Sequence, residues 1–144
     1  MGFPDRVERT VELAHPREKV WAALTTADGL GRWFGDRGAR IDLRPGGAAE
    51  MTWSNGYTVQ MRVEQVEEPA RFAYTWQIHG LPEDDPRRTL VEFTLEEAGG
   101  GTRLTVVESG FAQLPDDVYR EEYDSHVKGW ASELGELDVY LDGR

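Results

Sequence analysis

Hydrophobic and polar residues change period three times along this chain. Residues 5–14, DRVERTVELA, alternate: Val7, Arg9, Val11 and Leu13 fall on one face, Arg6, Glu8, Thr10 and Glu12 on the other. That spacing predicts a half-buried β-strand. In HPREKVWAALT, Pro16 suits the first turn of a helix, and Val20, Trp21 and Leu24 form an apolar face at helical spacing. TADGLGRWF predicts a second, very short helix started by Asp28. Strand alternation then returns in six runs punctuated by turn residues: Pro45-Gly46-Gly47, Asn55-Gly56 and Gly99–Gly101. From Pro115 to about Leu141 the period changes again, with Tyr119, Tyr123, Val127, Trp130, Leu134, Leu137 and Leu141 in steps of three and four. This predicts one amphipathic helix of roughly 40 Å. Gly129 and Gly135 interrupt it, and close packing against a sheet is the expected compensation.

The predicted order is strand, two short helices, six strands, long helix. It defines an α+β fold, an antiparallel sheet of about seven strands with one face to cover. Only the C-terminal helix is long enough to cover that face. A curved sheet gripping one helix need not close on it fully, and the gap becomes a cavity. Residues 1–144 read as a single domain.

Composition narrows the function classes. The net charge is −11, from 27 acidic against 16 basic residues. A nucleic-acid backbone or an anionic membrane surface would be repelled. There is no cysteine, hence no disulfide, thiolate metal site or cysteine nucleophile, which fits a cytoplasmic protein. No run of residues is long and apolar enough for a membrane span, and the N-terminal MGFPDRVERTVELAH has no signal-peptide pattern. His15, His79 and His126 are scattered without ligand spacing, so neither a metal nor another cofactor is expected.

Four segments together carry a resemblance: HPREKVWAALTTADGLGRWF, the PGG turn, VEQVEEPARFAYTW, and TRLTVVESGF followed by HVKGWASELGELDVYL. In order and spacing the chain resembles the START-like, or SRPBCC, superfamily with its helix-grip fold. Within it the chain is most similar to the heat-shock protein 90 ATPase activator homologue-like group. The resemblance implies a sheet–helix cavity for a small hydrophobic molecule such as a lipid or polyketide. It also implies two alternatives, an aromatase/cyclase-type enzyme and a co-chaperone-like module that binds a chaperone. Members of the group often carry His where this chain has Glu108, and they share no single catalytic signature. Oligomeric state is left as monomer or homodimer.

Within that frame the residues nominate a site. If Leu104 and Val106 face inward, so does Glu108, unless the strand has ended there and Glu108 sits at the rim in water. An inward carboxylate could act as a general acid or base, or as a polar anchor. His126 borders the apolar face of the long helix two turns after Tyr119 and could meet Glu108, with Tyr119 or Tyr123 completing an acid–base set. A core histidine held by a hydrogen bond is the plainer alternative. The expected ligand-binding set is Trp33, Phe34, Trp53, Met61, Tyr74, Trp76, Phe93, Tyr119, Tyr123 and Trp130; apart from Met61 these are large rings, and the polar tips of the tyrosines and tryptophans suit an aromatic or lipid-like ligand if the set does not simply fill the core. Of the adjacent pair in GLGRWFGD, Trp33 is expected to be the more buried and Phe34 to stand at the cavity mouth, with Gly31 and Gly35 letting the chain bend.

Overall fold

In the computed structural model, which describes residues 4–35, 37–79, 81–82 and 84–143, the alternating segments form one seven-stranded antiparallel sheet. The strands are β1 (Arg6–Leu13), β2 (Ala39–Ile41), β3 (Ala48–Thr52), β4 (Thr58–Glu67), β5 (Arg71–Gln77), β6 (Arg88–Ala98) and β7 (Gly101–Ser109). Their spatial order is β1-β7-β6-β5-β4-β3-β2. The first strand therefore sits at one edge beside the last. Helices α1 (Arg17–Thr25) and α2 (Ala27–Gly29) carry the chain to the other edge. α1 lies against β6 and β7, and α2 reaches β2. Successive hairpins then return it strand by strand. The long helix α3 (Asp116–Leu141) follows a single 3-10 turn at Phe111–Gln113. Among the described residues no helix is long and apolar enough to cross a membrane.

Alternation sets the inner face. Met61 and Val63 of β4, Phe72, Tyr74 and Trp76 of β5, Val91, Phe93 and Leu95 of β6, and Leu104 and Val106 of β7 are all buried. α3 covers them with Trp130, Leu134, Leu137 and Leu141, its stripe at helical spacing. Burying one such side chain contributes about 2 kcal/mol, so this shared face dominates the stability of the fold. The far end of α3 is tied down by polar contacts: Lys19 Nζ donates to the Leu141 carbonyl at 2.5 Å, and His15 Nε2 lies 2.6 Å from Asp142 Oδ1.

Four local expectations need correction. The second short helix is capped by Thr26, whose Oγ1 accepts from the Gly29 amide at 3.0 Å, whereas Asp28 pairs with Arg32 at 2.9 Å. α2 then widens into a π-helical turn at Leu30–Phe34. Gly31 serves there by close approach rather than bending, since a Cβ would stand 2.9 Å from the Gly38 Cα. Trp33 and Phe34 are both buried, at 3% and 6% exposure, and Trp33 Nε1 donates to the Ala23 carbonyl at 2.7 Å. Phe34 is thus no gate. Its ring packs edge-on to Trp53, Trp76 and Trp130. Finally, Gly129 and Gly135 do not pack closely on the sheet; a Cβ at either would meet nothing within 4 Å.

Candidate functional site

The β7 alternation continues through Leu104 and Val106, so Glu108 points inward and is fully buried. Register explains its company. Val91 pairs with Glu108 across β6 and β7, which puts Thr89, two residues earlier on the same face of β6, diagonal to the carboxylate. Trp76 pairs directly with Thr89 across β5 and β6. From the other side, residues 122, 126 and 130 of α3 repeat every four and form one stripe over the strand.

Four donors converge on this one carboxylate. Trp76 Nε1 donates to Oε2 at 2.8 Å, joined by a short hydrogen bond from the Thr89 hydroxyl. Trp130 Nε1 donates to Oε1 at 2.8 Å, and His126 Nδ1 lies 2.6 Å from the same oxygen. The other imidazole nitrogen lies 3.4 Å from Glu122 Oε2, and Glu122 Oε1 is 3.1 Å from His79 Nδ1. A chain Glu108–His126–Glu122–His79 therefore runs from the core to an exposed histidine.

Burial by itself would raise the Glu108 carboxyl and lower the His126 imidazole. For Glu108 the hydrogen bond and charge of His126, with the donors Thr89 and Trp130, win and hold it below its ordinary value. For His126 the hydrogen bonds and charges of Glu108 and Glu122 win and raise it to about 9. At neutral pH Glu108 is a carboxylate and His126 an imidazolium. Among the described residues no three His, Asp or Glu side chains are arranged to hold a metal; the donor atoms here hold one another.

Beside this network a cleft of about 510 Å³ opens between the β3–β4 loop, the end of β5 and α3. That volume is in the range of small-molecule sites. Phe34, Trp53, Trp76 and Trp130 of the expected set line it, and so does His126. Glu108 stands behind that wall. The other expected side chains lie elsewhere. Trp33, Met61, Tyr74 and Phe93 are core, the Tyr74 hydroxyl being buried with no hydrogen-bond partner. Burial, with the charges of Glu108 and Glu133, pushes that phenol well above its usual range. Tyr119 and Tyr123 stack on each other, and their hydroxyls donate to the Pro4 and Arg6 carbonyls, clasping the start of β1.

Several lining residues were not anticipated: Asn55, Tyr57, Gln77, His79, Glu122, Gly129 and Glu133. Asn55 and Tyr57 sit in the β3–β4 loop, where the Asn-Gly pair reads only as a turn. Tyr57 stacks on Trp53 at 5.8 Å. The spacing Glu122–His126–Trp130 was visible in the chain, and an i, i+4 reading would have found Glu122.

An open antiparallel sheet gripping one long helix, with an aromatic cleft between them, defines a START-like protein of the helix-grip class. The family model described as "Activator of Hsp90 ATPase homolog 1-like protein" matches residues 14–142, and the chain belongs to that family. No curated protein matches it. Among solved structures, the chain resembles a Mesorhizobium loti protein at 27% identity and TM-score 0.81, covering 95% of this chain and 96% of that one. DynU16, from the dynemicin biosynthetic locus, is 24% identical with TM-score 0.79; the match covers 97% of this chain and 48% of DynU16. An Hsp90 activator from Plasmodium falciparum is 21% identical with TM-score 0.77, covering 96% and 97%.

Proposed function

We propose that this protein binds a small, largely apolar or aromatic molecule in the cleft between sheet and α3. The observation that carries the reading is the construction of the wall. Trp76 and Trp130 stack 5.8 Å apart, and both indole N–H groups are fixed on the same buried carboxylate. Rings locked in place bind without the cost of ordering them. Glu108 is then a positioning residue. The absence of cysteine fits a cytoplasmic binder.

Gly129 supplies the test. It lines the cleft with open space where a side chain would go. A neutral, polarity-sensitive naphthalene dye such as Prodan is expected to shift to the blue on titration with the protein. Gly129→Trp should abolish that shift while leaving the far-UV circular dichroism unchanged. An unshifted dye, or equal binding by the folded variant, would defeat the reading.

The acid–base alternative uses the same Glu108 and His126. Its support is that His126 lines the cleft beside the buried carboxylate. Against it, Glu108 already accepts four hydrogen bonds and His126 is held as a cation, so neither is poised near neutrality as a base. Turnover of a polyketide that Glu108→Gln abolishes, with binding retained, would revive it. A chaperone-docking role draws on the family's description and on the Plasmodium Hsp90 activator. Retention on immobilised Hsp90 homologue, surviving Gly129→Trp, would support a surface separate from the cleft.

A further inference from the structure

The charge around the cleft is one-sided. Among the described residues its lining includes three carboxylates, Glu121, Glu122 and Glu133, and no lysine or arginine. His126 is a half-buried cation in the wall, and its charge is met on both nitrogens, by Glu108 and by Glu122. Glu122 also faces His79. The whole chain adds a net charge of −11, which draws cations toward its surface and repels anions.

The rings point the same way. An indole has a single polar atom, and it only donates. In Trp76 and Trp130 that atom is committed to Glu108, so neither offers a hydrogen bond to an anionic ligand. What remains for a ligand is π surface, whose negative face attracts cations. An N–H that donates to a carboxylate also polarises its ring toward greater electron density, which strengthens that attraction. Trp53 and Tyr57, stacked on each other in the lining of the cleft, add two more rings.

We infer that the cleft takes an organic cation: a protonated or quaternary amine carried on an aromatic or other apolar body. The apolar body would lie against Phe34, Trp76 and Trp130, and the ammonium among the rings and the carboxylates of α3. This rests on the cleft being a ligand site at all.

Three probes of one shape separate the two claims. They are a naphthylmethyl-trimethylammonium ion, its neutral isostere neopentylnaphthalene, and the anion naphthylmethanesulfonate, each competed against Prodan. The cation is expected to displace the dye at about tenfold lower concentration than the neutral isostere, the anion being weakest. The gap should narrow in high salt and in a Glu121→Gln/Glu133→Gln variant. If the neutral isostere matches the cation, or the anion is tightest, the charge inference falls and the binding site stands. If Prodan does not shift on titration with the protein, both fall together.

Discussion

Glu108 is a carboxylate with every hydrogen-bonding direction taken. Glutamine at 108 would keep the shape but turn an amide N–H₂ toward two of the four donors and leave His126 with Glu122 alone as countercharge. Breaking a buried pair from one side costs about 3–5 kcal/mol, and Glu108→Gln should lose stability of that order in chemical denaturation. It should also lower the His126 pKa from about 9, as followed by the imidazole proton resonances. A variant within 1 kcal/mol of the parent would mean that the carboxylate does not brace the wall. That Glu108 could face inward was legible from two preceding alternate residues. Its partners were not, because Trp76, Thr89 and Trp130 are brought to it by strand register and helix placement, which no local pattern encodes. For the same reason ten aromatic and apolar positions could be nominated as ligand-facing when four line the cleft. Size and polarity mark a ring as burying area, but not which side of the sheet–helix layer it fills.

At the scale of elements, period was a dependable guide. The long helix and all seven strands follow the spacing of their apolar residues. The π-helical turn at Leu30–Phe34 was not legible, since it lies where the chain folds back to bring Gly38 against Gly31, a close approach that apolar spacing does not encode. The glycines of α3 were misread for a related reason: a helical glycine marks either a close contact or an empty space. Here it is space, and that makes a prediction. Gly135 is exposed, within the helix and without neighbours. Gly135→Ala should raise stability by about 1 kcal/mol, visible as a higher denaturation midpoint with an unchanged slope. No gain would mean that the helix is locally irregular at that point.

For the whole molecule, the buried network sets the pH response. His126 titrates at about 9 in the fold against 6.5 when free, so the native state keeps a proton that the unfolded chain releases. Its contribution is complete below pH 6.5 and disappears as pH rises through 9, by on the order of 3 kcal/mol. Glu108 has the opposite sign. Its contribution is present above its ordinary value of 4.5 and is lost as pH falls below that value toward its lowered native one. Stability from this pair should therefore be greatest between about 4.5 and 6.5, and His126→Gln should flatten the alkaline decline. Equal slopes for variant and parent between pH 6.5 and 9 would remove His126 as its source.

The pairing of β1 with β7 also governs the timing of folding. Thr10 meets Thr105 across that seam, and α3, which completes the cleft, follows both in the chain. During synthesis the edge strand emerges long before its partner, and the ring-bearing helix emerges later still. Contacts spanning so much of the chain form slowly. Most of the inner face is thus exposed as an unfinished apolar sheet until α3 is made, and the cleft takes shape only afterwards.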